Sequence, residues 1–232
     1  MINPSDVHFF KPIITSLSNY DIFSTSRNRA ETVELANYFG IKNMVIGRDY
    51  QNSIKKALNM VYRTLNLTYK IQEYDFSLSF ENGMAVFASK LHKKKSIIYC
   101  DNDLKFIQKK SSVQDLETKI KSLASYIVVP EVCYENFKKY YDESQLISFK
   151  GFKEDVYIAD YIPNDSFLKT IPFDNFIVVR PEALGSIYVK DKTSIVPELL
   201  SAFKKENMNI VYLPRDESDE LYASGLDDVL AL

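Results

Sequence analysis

Apolar positions along this chain repeat at two spacings that alternate from one end to the other. Phe10, Ile13, Ile14 and Leu17 fall three and four apart, which predicts one face of an amphipathic helix from about residue 8 to Ser18. Residues 21–26 read as a short strand and Arg27-Asn28-Arg29 as a loop. Residues 31–39 read as a helix closed by Gly40 just past its end. Met44-Val45-Ile46 is the next apolar run, ended by Gly47-Arg48-Asp49. A long helix over 52–69 follows, with Ile54, Ala57, Leu58, Val61 and Leu65 in register. The alternation continues with strands at 76–80, 96–100, 126–130 and 146–149, and helices at 84–91, 113–124 and 131–141. Repeated strand–loop–helix units predict an α/β, Rossmann-like domain: a mostly parallel sheet covered by helices on both faces.

The pattern changes at Gly151. Residues 151–172 are irregular, with Pro163 and Pro172 as breakers, and read as a crossing segment between two domains. Beyond it come a strand at 175–180, a helix at 195–206 and a strand at 209–213, the start of a second Rossmann-like unit. The expected organisation is a domain at 1–150, a crossing segment at 151–172 and a partial second domain at 173–232. One βαβ unit cannot enclose its own core, so the second domain reads as cut short. At the other end no strand precedes Asn3-Pro4, so either the sheet lacks its first strand or the sequence starts late.

The 232 residues carry 46% hydrophobic and 26% charged side chains with a formal net charge of −2. Without a basic excess the chain does not read as a general nucleic-acid binder. No apolar run approaches the ~20 residues a membrane span needs, and no signal-peptide layout opens the chain. Cys100 and Cys133 lack metal-ligand spacing and there are two histidines, so neither a zinc site nor a disulfide framework is expected. A reduced, cytoplasmic setting is the simpler reading.

Candidate chemistry gathers where strands end, the edge at which open α/β sheets bind ligands. The polar turn holding Asn3 and Ser5 runs into the first helix, and Asp6 and His8 within it are two proton-transfer groups; the rival reading has Asp6 capping that helix. Arg27 and Arg29 can meet an anion bidentately. Glu81-Asn82 and Asp101-Asn102 each follow a strand, although polar residues after strands are also ordinary exposed loop. In the second unit Arg180, Glu182, Tyr188 and Arg215 follow strand ends. Arg180 or Arg215 can neutralise a diphosphate leaving group, with an Arg180–Glu182 ion pair as the rival.

The chain also resembles an uncharacterised, mainly archaeal family of predicted glycosyltransferases with the two-domain GT-B architecture. The residues that carry the resemblance are Asn3-Pro4, Val7 to Ile14, and Thr25 with Arg27. They continue through Gly151-Phe152-Lys153-Glu154, Tyr157, Ala159-Asp160-Tyr161 and Pro163, then Val179-Arg180-Pro181-Glu182 with Tyr188, and Leu213-Pro214-Arg215. The resemblance implies transfer of a sugar from a nucleotide-sugar donor, UDP-sugar favoured, to a sugar or lipid-linked hydroxyl acceptor, without metal or cofactor. It implies peripheral contact with a membrane where the acceptor is a lipid. It places the general base in the N-terminal loop, hence Asp6 or His8, with the donor held by Arg180, Glu182, Tyr188 and Arg215. Where this chain has Asp6 the family often has histidine. Family members usually begin with a strand ahead of Asn-Pro and continue past Pro-Arg to a Gly-rich turn, and neither is found here. Two alternatives stand beside this reading. One is an enzyme resembling the UDP-N-acetylglucosamine 2-epimerases, using Glu81, Asp101 and Asp103. The other is a non-catalytic remnant or interaction module that pairs an open sheet edge with another chain.

Overall fold

The computed structural model describes residues 1–48, 50, 53–71, 73–107, 112–159, 161–182, 184, 193–215, 217–226 and 229–232. The chain divides into two compact units, Met1–Tyr161 and Ile162–Leu232. The first holds α1 (Pro4–Ser16), β1 (Ser24–Asn28), α2 (Thr32–Tyr38), β2 (Asn43–Arg48), α3 (Ser53–Lys70), β3 (Phe76–Phe80), α4 (Gly83–Leu91), β4 (Lys95–Tyr99), α5 (Leu104–Ile107), α6 (Ser112–Lys121), β5 (Tyr126–Pro130), α7 (Tyr134–Phe137), β6 (Leu146–Phe149) and α8 (Asp155–Ile158). The second holds α9 (Asp165–Leu168), β7 (Ile177–Val179), α10 (Val196–Lys205), β8 (Ile210–Tyr212), α11 (Glu217–Glu220) and β9 (Val229–Ala231).

Every strand pair among the described residues is parallel, as alternating strands and helices require. In the first unit β3-β4-β5-β6 form one sheet and β1-β2 another. Side chains alternate across the four-stranded sheet. Ile98, Ile127 and Val129 turn to one face and pack with Val86, Ala124, Phe137 and Tyr141. Phe80 and Tyr99 turn to the other, where α1 brings Phe9 and Phe10 and the segment at α8 brings Val156 and Tyr157. Phe9 is the pivot of this second cluster, lying edge-on to Phe10, Phe80 and Tyr99 at centroid distances of 5.2, 5.0 and 5.0 Å. It fixes α1 over the ends of β3 and β4.

The structure revises several local expectations, and the helix expected at 131–141 is a short 3-10 turn at Glu131–Cys133 followed by α7 alone. The first helix starts at Pro4 rather than near His8. Proline suits the first helical position, where its missing N–H is not needed, and Asp6 completes the turn from the third. Arg27 and Asn28 belong to β1 rather than to a loop, because the strand runs on beside β2 through a register irregularity between Ser26 and Asn28. Finally, β9 adds a third strand to the second sheet; three residues at the chain's end are too short a run to read by periodicity. The second unit has its own core of Val179, Val196, Leu200, Ile210 and Tyr212, closed by the Tyr212 hydroxyl donating to the Asp219 carbonyl at 3.0 Å.

Because Phe9 is almost wholly buried in an aromatic cluster, Phe9→Ala should cost about 3–5 kcal/mol of unfolding free energy in urea melts. A loss below 1 kcal/mol would show that α1 is anchored elsewhere.

Candidate functional site

The site is built around Glu81, the residue after β3. Its backbone sits at φ 48°, in the left-handed region that costs a non-glycine residue energy. From there its carboxylate turns inward to Lys121, which is fully buried, and to Lys105 at 3.3 Å. Oε1 also faces the backbone N–H groups of Asp101 and Asn102, at 3.3 and 3.4 Å. Burial by itself would raise the Glu81 pKa, but Lys121 and Lys105 with these hydrogen bonds hold it down at about 2. Lys121 stays protonated against its own burial because Glu81 and Glu117 face it. One buried ion pair thus fastens the turn after β4 to the end of β3.

That turn presents Asp101 to Lys153, which arrives from far along the chain. Gly151 at φ 101° makes the bend possible, and a Cβ there would lie 2.6 Å from Asp155 Oδ2. The same Asp155 oxygen accepts the Phe152 N–H at 2.7 Å and sets the turn. Lys153 Nζ then lies 4.4 Å from the Phe80 ring centroid, 3.7 Å from Asp101 Oδ2 and 3.3 Å from Ser5 Oγ. Burial raises the Asp101 pKa, Lys153 opposes the rise, and Glu81 and Glu154 add to it. Tyr157 lies in the field of Asp101 and Glu154 and is itself pushed up, chiefly by burial. Its ring lies tilted by 33° to that of His8, with centroids 5.5 Å apart. His8 is partly buried, and burial together with Lys11 lowers its pKa. Three separate stretches therefore meet at the carboxyl ends of β3 and β4: the start of α1, the β4 turn and the Gly151 turn.

The candidate residues divide between this cluster and structural duties. Asp6 lies inside the first turn of α1, not in a loop, and is 1% exposed. Its Oδ2 accepts the backbone N–H groups of Ile2 and Asn3 at 2.7 and 3.1 Å, which is helix capping. Asn3 Oδ1 accepts from Arg29 Nη1 at 2.6 Å, so these two residues hold each other. Arg27 lies on β1 and is partly buried. Asn82 is buried at the start of α4, and its Oδ1 has no hydrogen-bond partner among the described residues. Asp103 accepts from Asn136 Nδ2 at 2.7 Å.

In the second unit Glu182 takes the Ser194 hydroxyl at 2.8 Å and the Ile195 N–H at 3.0 Å. These contacts tie it to the start of α10. Arg215 donates from Nε to the Pro181 carbonyl at 2.7 Å, and its backbone N–H reaches Asp219 Oδ2 at 3.1 Å. Arg180 is exposed. Tyr188 lies outside the described residues, as does Asp160.

Sequence reasoning passed over Lys105, Lys121 and Lys153 as site residues. Lys153 had a signal, since it stands in the Gly151-Phe152-Lys153-Glu154 motif. Lys121 had only its place four residues after Glu117 on a helix. Burial, with Glu81 adding to it, pushes the Cys100 thiol well up, and burial with Asp103 and Asp101 takes Cys133 to about 11, so both thiols stay protonated at neutral pH. Among the described residues no group of three or more His, Cys, Asp and Glu side chains is placed to hold a metal, and no helix is long and apolar enough to cross a membrane.

A model of the family described as "Protein of unknown function (DUF354)" matches residues 1–231. No curated protein matches the chain. Among solved structures, a provisionally assigned UDP-N-acetylglucosamine 2-epimerase from Listeria monocytogenes superposes with TM-score 0.71 at 13% identity, over 100% of this chain and 67% of that one. MnaA of S. aureus, solved with UDP, gives TM-score 0.67 at 11% identity, over 100% and 67%. Anabaena Alr3699/HepE, in complex with UDP and glucose, gives 0.61 at 13% identity, over 98% and 64%. At such identities the likeness establishes the fold. This chain spans about two thirds of the length of these proteins.

A carboxylate held down at about 2 contributes stability that is complete above its ordinary pKa of 4.5 and is lost as pH falls toward 2. Glu81→Gln should therefore cost on the order of 3 kcal/mol in urea melts above pH 5. The gap to wild type should close as both are taken to pH 2. A gap independent of pH would place the loss in packing rather than in the ion pair.

Proposed function

We propose, for a chain that belongs to the DUF354 family, that it transfers a sugar from a nucleotide-sugar donor to a hydroxyl acceptor, with His8 as general base. The observation that carries this reading is the meeting of His8, Ser5, Asp101, Lys153 and Tyr157 at the carboxyl ends of β3 and β4. Of the two bases expected at the start of α1, Asp6 is buried with its Oδ2 held in the helix cap, which favours His8. His8 stays neutral near pH 7 because its pKa lies below 6.5, and a neutral imidazole is the form that accepts a proton. Lys153, Asp101 and Asn102 supply donors and acceptors for sugar hydroxyls. UDP is the favoured carrier, since MnaA and Alr3699/HepE were both solved with it. Arg180 and Arg215 are the candidates for meeting the diphosphate. The mechanism calls for no metal or cofactor, and the acceptor is a sugar or a lipid-linked sugar.

A second reading, nucleotide-sugar 2-epimerisation, is favoured by one specific feature. Burial brings Asp101 nearer to the range where a carboxyl group both donates and accepts a proton, and the solved neighbours include proteins described as 2-epimerases. Glu81 is committed to two lysines, so Asp101 would carry this chemistry.

Incubation with UDP-N-acetylglucosamine alone separates the two. A transferase gives at most slow release of UDP with the sugar unchanged at C2, and turns over once an acceptor is added. An epimerase inverts C2 without one. In the transferase, His8→Ala should lower kcat on the order of 100- to 10,000-fold and remove the acid limb of the pH profile, which in wild type lies below pH 6.5. Inversion at C2, abolished by Asp101→Asn but not by His8→Ala, would replace the leading reading with the second.

A further inference from the structure

Helix α3 is seated with its polar side inward. Asn59 donates from Nδ2 to the Arg48 carbonyl at 2.8 Å. Arg63 is 1% exposed, and its Nε and Nη1 have no hydrogen-bond partner among the described residues. Leu67 packs with Ile46 and Ala88. Leu58, Val61, Tyr62, Leu65 and Tyr69 recur at three- and four-residue spacing and so share the opposite side. They are 54–77% exposed. A helix of a globular domain ordinarily turns its apolar stripe to the core and its charges to water. Here a guanidinium is taken inside while five apolar side chains face out. α4 packs beside α3 and exposes Phe87 and Leu91. A contiguous apolar surface of this kind marks an interaction site.

The charge around the face selects what covers it. Residues 53–95 hold eight Lys and Arg against three Asp and Glu, in a chain whose net charge is −2. Neither α3 nor α4 contains a carboxylate. Of the three acids, Glu81 is turned inward to Lys121 and Lys105, and Glu73 and Asp75 stand in the turn after α3. Lys70, Lys90, Lys93 and Lys95 stand at the C-terminal ends of α3 and α4 and the start of β4. All four are exposed, and among the described residues none of them is in an ion pair. A second copy docked about a two-fold axis meets the same surface, so cationic helices would face each other with no carboxylate on either. An anionic lipid surface answers both features, its headgroups meeting the lysines and its acyl chains the apolar stripe. Tyr62 and Tyr69 suit that boundary, since tyrosine joins an apolar ring to a polar tip.

We propose that α3, with the neighbouring end of α4, lies against an anionic lipid surface, its apolar stripe at the boundary of headgroups and acyl chains and the lysines on the headgroups. Such docking requires no sugar transfer, so it stands or falls separately from the activity proposed above.

Co-sedimentation of the full chain with vesicles tests it, using phosphatidylcholine alone and phosphatidylcholine mixed with phosphatidylglycerol, each in low and in high salt. The chain should sediment with the mixed vesicles, and high salt should release it. Leu58→Gln with Leu65→Gln, both at exposed positions, should weaken partition at least about 10-fold and leave the melting temperature unchanged. Lys90→Gln with Lys93→Gln should weaken it on the order of 10-fold, on the mixed vesicles only. Should the leucine variant melt below wild type, the lysine variant and the salt dependence still decide. Equal sedimentation with both vesicles, or with neither, overturns the proposal. So does a wild-type dimer in analytical ultracentrifugation that the leucine variant converts to monomer, because the face then belongs to a second copy.

Discussion

The first unit depends on one buried ion pair, Glu81 with Lys121. Two charges withdrawn from water repay their desolvation only when both are well partnered. Here the glutamate gains a second lysine and two backbone N–H groups, and the lysine a second carboxylate. The pair joins the end of β3 to α6 forty residues away, and its carboxylate holds the turn after β4. An apolar pair of similar volume would fill the same space at less cost, but it would leave the Asp101 and Asn102 N–H groups without their acceptor. The left-handed backbone at Glu81 fits this account: strain is kept where it aims a carboxylate at a turn.

With that turn in place, the rest of the site follows from packing. Phe9 seats α1 on Phe80 and Tyr99, which brings Ser5 and His8 over the strand ends. The Gly151 turn brings Lys153 across Phe80 to Asp101. Side chains from the start, middle and end of the unit converge there, although none neighbours another in sequence. Glu81 and Asp6 are carboxylates that hold backbone N–H groups, whereas Asp101 and His8 are partly exposed at the strand ends.

Much of the fold was legible in the chain's apolar spacing, because a parallel sheet between helices leaves buried strands such as 96–100 as short apolar runs and their helices as amphipathic ones. The motifs at Asn3-Pro4 and Gly151-Phe152-Lys153-Glu154 marked two of the three stretches that meet at the site. What was not legible depended on distance. Nothing near Glu81 announces Lys121, since their pairing arises only when α6 docks. Asp6 read as cap ahead of base, and the structure shows its Oδ2 in the cap. The start of α1 was misplaced because proline is a loop signal everywhere except in the first turn of a helix. Arg27 was read as loop because arginine ends an apolar run, yet a parallel neighbour carries the strand past it.

The most direct test of this account is amide hydrogen exchange at Asp101 and Asn102 in wild type and in Glu81→Ala. If the Glu81 carboxylate holds the turn, both amides are protected in wild type and exchange at nearly solvent rates in the variant, while Ile98 within β4 stays protected and reports that the sheet is intact. Unchanged protection at Asp101 and Asn102 in a folded Glu81→Ala chain would contradict the account, and the turn would then owe its position to something other than the buried ion pair.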